Sequence, residues 1–274
     1  MLHIYSFCVY IEKHSMEDLL KVLKLFIKSL DINVKKYKLI LYTNFIEEIN
    51  HNNVEIRKYY DKTKNRYDNN WFNLNFNRIN IYKDLYDEYK IDFLWMDIDS
   101  IITYDISYLN NIDNIFLENG GNEIVEQKIF KNSFETVKTN IHIQGNLWKL
   151  NIELYNDLLL CLNMLDNENK ILDYDVQSLF NFYIHKYDKK QIKNLNIYGD
   201  NYYNNTLNGL AQWNIDKITH SSIDGLEKMY YENNILKTKY DISKEIHIVS
   251  FTFETLKKLY DTNLFKNIFG KYII

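Results

Sequence analysis

The first sixty residues constrain the fold more than any later stretch. Residues 2–11 (Leu-His-Ile-Tyr-Ser-Phe-Cys-Val-Tyr-Ile) form a β-prone apolar run. Ser15 then precedes Met16-Glu17-Asp18, a helix start with acidic residues in its first turn, where the helix dipole favours negative charge. Leu19, Leu20, Val22, Leu23, Leu25, Phe26 and Leu30 repeat at helical spacing. Residues 37–42 read as a second strand and 54–59 as a third. Parallel neighbours need a crossover helix, so this order predicts an α/β fold with a mixed, mostly parallel sheet flanked by helices.

The rest of the chain continues the pattern. Residues 61–70 are polar and read as a loop. A helix is expected over 72–89, carrying Arg78, and a short strand over 93–96. Residues 115–118 make another strand, ahead of a Gly120-Gly121 turn. Residues 139–150 predict a strand, a bend at Gly145 and a second strand. Helices are expected over 152–164 and 172–187, a short strand over 215–220, a strand over 246–253 and a closing helix over 254–269. No repeat period and no Pro/Gly/Ser linker divides the 274 residues, so they read as one domain, 1–274.

The chemistry concentrates in Phe93-Leu94-Trp95-Met96-Asp97-Ile98-Asp99. An apolar strand runs straight into two carboxylates spaced i, i+2. In an extended chain the side-chain period is two, so Asp97 and Asp99 can point the same way. Two like charges that close repel unless a cation sits between them, and hard divalent cations choose oxygen ligands. In open α/β sheets, ligands sit outside the carboxyl ends of strands, at a switch point. An acidic pair there is suited to a metal that holds a diphosphate; its plainer reading is a strand end with turn-forming aspartates.

Composition removes several classes. A formal net charge of −4 and a pI near 6.0 give no global basic field for nucleic acid. Aromatic content is 16%, with 24 tyrosines, whose apolar face and polar tip suit sugars and bases as well as interfaces. Arginine occurs only at Arg57, Arg66 and Arg78 against many lysines, which makes each one informative. Cys8 and Cys161 lie in apolar runs and read as buried thiols, with no disulfide framework or zinc spacing. The N-terminus lacks a basic n-region and a cleavage site, and no apolar run approaches the roughly 18 residues of a membrane span. A soluble, cytoplasmic protein is the expectation.

At this point the chain resembles the GT-A glycosyltransferases that use nucleotide-sugars, especially glycosyltransferase family 8. An Arg-bearing helix (Asn77-Arg78-Ile79), a short gap, an apolar strand and Asp97-Ile98-Asp99 follow that family's layout. The resemblance implies a Rossmann-like GT-A sheet and a metal-dependent transfer, with retention, from a UDP-sugar to a glycan, protein or small-molecule hydroxyl. It implies that Asp97 and Asp99 share Mn²⁺ or Mg²⁺, with Asp97 also near the ribose, and that Arg78 and Tyr10 lie near the donor. The family's strand-turn Asn-(Ser/Ala)-Gly corresponds to Gln144-Gly145-Asn146, without the family Asn; a glycine there would let substrate approach the backbone. Its Asp-Gln helix start corresponds to Asp173, Asp175 and Gln177, where Asp and Gln are not adjacent. With Gln144 these are the residues implied at the reacting sugar, and Trp148 joins them in the pocket. The C-terminal His-x-x-Gly-x-x-Lys corresponds to His220, Gly225 and Lys228, with His220 two residues further upstream than the pattern. His220 would complete the metal site, with His247 as its rival, and Gly225 and Lys228 would touch the diphosphate. Residues 61–70 would close over the donor as a lid. Residues 231–274 have no assigned part.

Two other classes share the motif. A haloacid-dehalogenase-type phosphatase also places Asp-x-Asp after an apolar strand, but near the start of its core and with Thr or Val four residues after the first Asp, where this chain has Ile101. A non-catalytic nucleotide-sugar-binding module on the same fold is the other.

Overall fold

The computed structural model describes residues 1–11, 14–47, 49–63, 70–119, 125–131, 134, 136–139, 142–172, 176–187, 196–198, 226–238 and 241–273. The chain opens with β1 (Leu2–Cys8), α1 (Met16–Asn33), β2 (Tyr37–Thr43), β3 (Val54–Lys58), α2 (Asn70–Tyr89), β4 (Leu94–Met96) and β5 (Ser100–Ile102). It continues with β6 (Ile115–Asn119), an antiparallel pair β7 (Val125–Lys128) and β8 (Thr136–Thr139), β9 (His142–Lys149), α3 (Ile152–Asn167), α4 (Val176–Phe182) and β10 (Asn196–Tyr198). The C-terminal part holds β11 (Met229–Glu232), β12 (Ile235–Thr238), β13 (Asp241–Ile246), β14 (Ile248–Ser250), α5 (Phe253–Leu259) and α6 (Asn263–Phe269).

A seven-stranded sheet in the order β10-β6-β9-β4-β1-β2-β3 forms the centre. β3, β2, β1 and β4 run parallel, as do β10 and β6, whereas β9 lies antiparallel to both β4 and β6. The sheet is thus mixed and mostly parallel: the parallel part follows from the alternating strands and helices, and β9 supplies the antiparallel exception.

Alternation along the strands sends residues to opposite faces. On one face Leu2, Ile4 and Cys8 of β1, Leu39 and Leu41 of β2, and Leu94 and Met96 of β4 pack on α1, β14, α5 and α6. On the other face Tyr5, Phe7, Ile40, Tyr42 and Trp95 pack on α2, α3 and α4. Both faces are covered, which explains why the strands read as near-continuous apolar runs. Cys8 and Cys161 are free and buried, and burial pushes both thiols up to about 12.

Chain order at the centre of the sheet creates a crevice. β1 leads through α1 on one face to β2 and β3. The chain then returns through α2 on the opposite face to β4, on the far side of β1. The carboxyl ends of β1 and β4 therefore flank a topological switch point, the usual place for a ligand to bind.

Several expectations are revised. His142–Lys149 is one strand rather than two, and its register with β6 shifts beside Gly145. The closing helix is two, α5 and α6, each N-capped by a threonine (Thr252, Thr262). The helix expected over 172–187 is α4 followed by a π-helical turn Tyr183–Tyr187. No helix among the described residues is long and apolar enough to cross a membrane.

Candidate active site

At the switch point the structure has an open cleft, lined by residues of the sheet and of helices on both of its faces. Phe7, Val9 and Ile11 enter it from β1 and the segment beyond, Trp71, Leu74 and Arg78 from α2, and Trp95, Asp97, Ile98 and Asp99 from β4 and the turn after it. His14 and Leu19 from the start of α1, and Phe253 from α5, close the far side.

The two acids reach this cleft by a different route from the one the i, i+2 spacing predicts. Asp97 leaves the end of β4, and Ile98 and Asp99 form a turn before Ser100 starts β5. Ile98 is buried in the core, which fixes the turn, and both carboxylate residues border the same space.

The backbone on each side of that turn is tied down. Asp97 N–H donates to Asn146 C=O of β9 at 3.0 Å, extending the β4–β9 ladder by one residue. Asp99 C=O accepts from Phe251 N–H at 3.0 Å, extending the antiparallel β5–β14 pair.

Arg78 is the cation beside the acids. Its Nη2 lies 3.4 Å from Asp97 Oδ1 and also donates to Asn75 Oδ1. Nη1 donates to Gly145 C=O at 2.9 Å, and the guanidinium lies 4.6 Å from the Trp95 ring centroid. Only a planar five-donor fork can serve a carboxylate, a carbonyl and an aromatic face together. Nε remains buried without a hydrogen-bond partner. Gly145 is where β9 passes a register shift against β6, between Phe116 and Leu117, and such irregularities redirect groups near sites.

His14 was not anticipated. Its side chain is 5% exposed, its Nδ1 lies 3.2 Å from Glu254 Oε1, and its ring sits 4.1 Å from that of Phe253. A histidine just after the first strand is a weak signal by itself, and nothing in the sequence joins it to a residue 240 positions away. Residues 231–274, left without a part by the sequence, thus supply one wall of the cleft and the strand behind the acidic turn.

Other sequence-derived candidates lie elsewhere. Gln177 Oε1 accepts from Gly145 N–H at 3.3 Å and does not line the cleft. A Cβ on Gly145 would meet Gln177, Val176 and Arg78 atoms at 3.6–3.7 Å, ordinary contact within the protein. Gln144 belongs to β9 and pairs with Leu117. Tyr10 exchanges backbone hydrogen bonds with the Asn44 side chain (2.7 and 2.8 Å), away from the cleft, although Val9 and Ile11 on either side of it line the cleft. Lys228 immediately precedes β11 and is outside the cleft lining.

Trp148, expected in the pocket, is 0% exposed: its register opposite Trp95 and Phe116 puts it in the aromatic core. His247, the rival to His220, is held by Tyr108 (Nδ1 to OH, 2.8 Å) and stacks on Tyr104. Asp173, Asp175, His220, Gly225 and residues 64–69 of the expected lid lie outside the described residues.

Among the described residues no three His, Cys, Asp or Glu side chains group as a metal cage. Two carboxylates on one cleft nevertheless fit Mg²⁺ or Mn²⁺ well. Such ions are commonly held by one or two carboxylates together with substrate phosphates rather than by a complete protein shell. No protein-family model matches the chain, and no curated protein matches it.

Proposed function

We propose that the protein is a metal-dependent glycosyltransferase on a GT-A-like sheet, taking a UDP-sugar as donor and a hydroxyl group as acceptor. The observation that carries this reading is the convergence of Asp97, Asp99 and Arg78 on one cleft at the β1/β4 switch point. A phosphatase of the Asp-x-Asp type needs only a small phosphate cup. Here the apolar side chains of Phe7, Val9, Ile11 and Trp71 line the same cleft as the acids, which suits a ligand with a flat, apolar face beside its charged group.

The reaction breaks the bond between the anomeric carbon and the diphosphate oxygen, the electron pair leaving with the nucleotide. A bond forms from the acceptor oxygen to the anomeric carbon, and the acceptor's proton passes to the leaving diphosphate. Asp97 and Asp99 would hold the divalent ion, which neutralises charge building on the leaving diphosphate. Arg78 is a permanent cation beside that charge, already fixed by Gly145, Asn75 and Trp95, so little reorganisation is needed when charge develops. Apolar walls beside the acids offer the reacting centre few groups that hold water, which favours transfer over hydrolysis once the donor fills the cleft.

A thermal-shift panel of nucleotides and UDP-sugars with and without Mn²⁺ tests the reading, because a ligand that binds the folded state raises its stability by mass action. UDP and at least one UDP-sugar should raise the unfolding temperature in a Mn²⁺-dependent way. Absence of any nucleotide shift, or metal-dependent hydrolysis of an aryl phosphate without sugar transfer, would overturn it. The anomeric configuration of the product, read by proton NMR, reports retention or inversion.

A further inference from the structure

The acidic turn is enclosed by a ring of hydrogen bonds whose last link is a pair of buried side chains. Asn146 C=O accepts from Asp97 N–H at 3.0 Å, and Phe251 N–H donates to Asp99 C=O at 3.0 Å. Asn146 belongs to β9, and Phe251 follows β14. These strands belong to different sheets and come from parts of the chain about a hundred residues apart. Asn146 Nδ2 joins them, donating to Ser250 Oγ at 2.6 Å. Ser250 in turn faces Ser100 across the β5–β14 pair, with the two hydroxyls 3.4 Å apart.

Asn146 is 4% exposed, and Ser100 and Ser250 are each 2% exposed, so water does not compete for these groups. Asn146 Oδ1 has no hydrogen-bond partner, so the amide is kept in the core by its single bond to Ser250. A buried amide retained at that desolvation cost, at the one residue of β9 that also holds Asp97, calls for a reason.

We infer that Asn146 and Ser250 are positioning residues. Their side-chain bond closes the ring around Ile98 and fixes the spacing between Asp97 and Asp99 at which both reach one divalent ion. This deepens the glycosyltransferase reading and rests on it. Neither residue lines the cleft, so neither touches ligand; they act through the backbone of the acids. The C-terminal segment is then part of the metal site although it supplies no carboxylate to it. Groups that orient metal ligands from behind typically change affinity by about 10- to 100-fold when removed.

The test uses the full chain with Ser250→Ala, Asn146→Ala and the double variant. Lys149→Met, a change to a buried lysine elsewhere on β9, controls for general destabilisation. Two readouts are taken: Mn²⁺ electron paramagnetic resonance titrations with UDP present, and backbone deuterium exchange of the peptide spanning 95–102 with no metal added. Each alanine variant should expose that peptide to faster exchange and weaken Mn²⁺ binding about tenfold. The double variant should cost no more than the worse single one, since both remove the same bond. Lys149→Met should leave Mn²⁺ binding unchanged.

Unchanged Mn²⁺ affinity in both alanine variants would overturn the inference, as would an equal loss in Lys149→Met. If one alanine variant fails to fold, the other decides, because the bond is broken from either end. A wild-type chain that binds no Mn²⁺ with UDP would instead sink the glycosyltransferase reading, and the exchange data would still show whether the ring holds the turn.

Discussion

At the scale of single residues, many polar side chains among the described residues are committed to structure, and a few of them also border the cleft. The tyrosines illustrate the first half. Tyr5 OH donates to Arg78 C=O at 3.0 Å and Tyr82 OH to Leu150 C=O at 2.7 Å, both from buried rings. Their apolar bodies fill the core and their hydroxyls satisfy carbonyls, so a high tyrosine count says little here about sugars. Asp97, Asp99 and Arg78 illustrate the second half, because all three line the cleft. Asp99→Asn keeps size and shape but removes a metal-binding charge. It should lower transfer by orders of magnitude while leaving the unfolding temperature within a few degrees of wild type. A donor-consumption assay paired with a melting curve checks both. Arg78→Lys tests the guanidinium fork. One ammonium cannot reach Gly145 C=O, Asn75 and Asp97 while lying on Trp95, so at least one buried acceptor loses its donor. An unsatisfied buried group costs about 1–3 kcal/mol, measurable by urea unfolding.

At the scale of elements, local rules account for where helices start. Ser15 Oγ accepts from Asp18 N–H at 3.1 Å, the N-cap that Ser15-Met16-Glu17-Asp18 predicts. Ser15→Ala should cost about 1 kcal/mol of stability, seen as a lower denaturant midpoint with an unchanged slope. Lys149 shows the reverse case, a long-range cap with no sequence signal. It is 4% exposed, and Nζ donates to Leu109, Asn110 and Ile112 carbonyls at 3.3, 2.8 and 2.8 Å, closing the end of the 3₁₀ turn Ser107–Asn111. Lys149→Met should therefore destabilise by a few kcal/mol, since about 1–3 kcal/mol attaches to each carbonyl left dry and unpaired and local relaxation recovers part of it. The same division explains what could be read beforehand. The strands β1, β2, β3, β4 and β6, and α1, were legible because periodicity and capping are local. The two acids were legible because strand and turn adjoin in sequence. His14 beside Glu254, and Asn146 beside Ser250, were not, because each pair is made by strand order, which periodicity does not encode. The continuation of β9 past Gly145 was missed for a related reason: pairing of Leu147–Lys149 with β4 and of His142–Gln144 with β6 carries one strand across the register shift beside that glycine, and such pairing is not local information.

At the scale of the whole molecule, one of the seams that join the C-terminal part to the rest contains a titratable group. β14 pairs with β5, Thr103 N–H donates to His247 C=O at 2.8 Å, and Thr103 Oγ1 reaches Ile246 C=O at 2.5 Å. The His247 ring lies inside this junction, stacked on Tyr104 at 4.6 Å and bonded to Tyr108, with Glu245 3.4 Å from its other nitrogen. Burial holds its pKa below the ordinary 6.5, and the Glu245 carboxylate offsets only part of that. The folded protein therefore binds this proton less readily than the unfolded chain does. Stability rises with pH wherever the unfolded state holds more protons. His247 thus contributes no penalty above about pH 6.5, and stability falls as pH drops from there toward its lowered folded value. His3, also lowered by burial and by the positive N-terminus, Lys38 and Lys149 around it, adds a fall of the same sign. Urea unfolding at pH 7 and at pH 5 should show wild type losing stability. His247→Asn should lose distinctly less, and His3→Asn/His247→Asn less still. Asn keeps a polar group against Tyr108 but cannot take up a proton, so the difference in slope isolates titration from packing. Parallel pH profiles for wild type and His247→Asn would mean that the seam carries no proton-linked strain, and acid lability would then have to arise from carboxylates elsewhere in the fold.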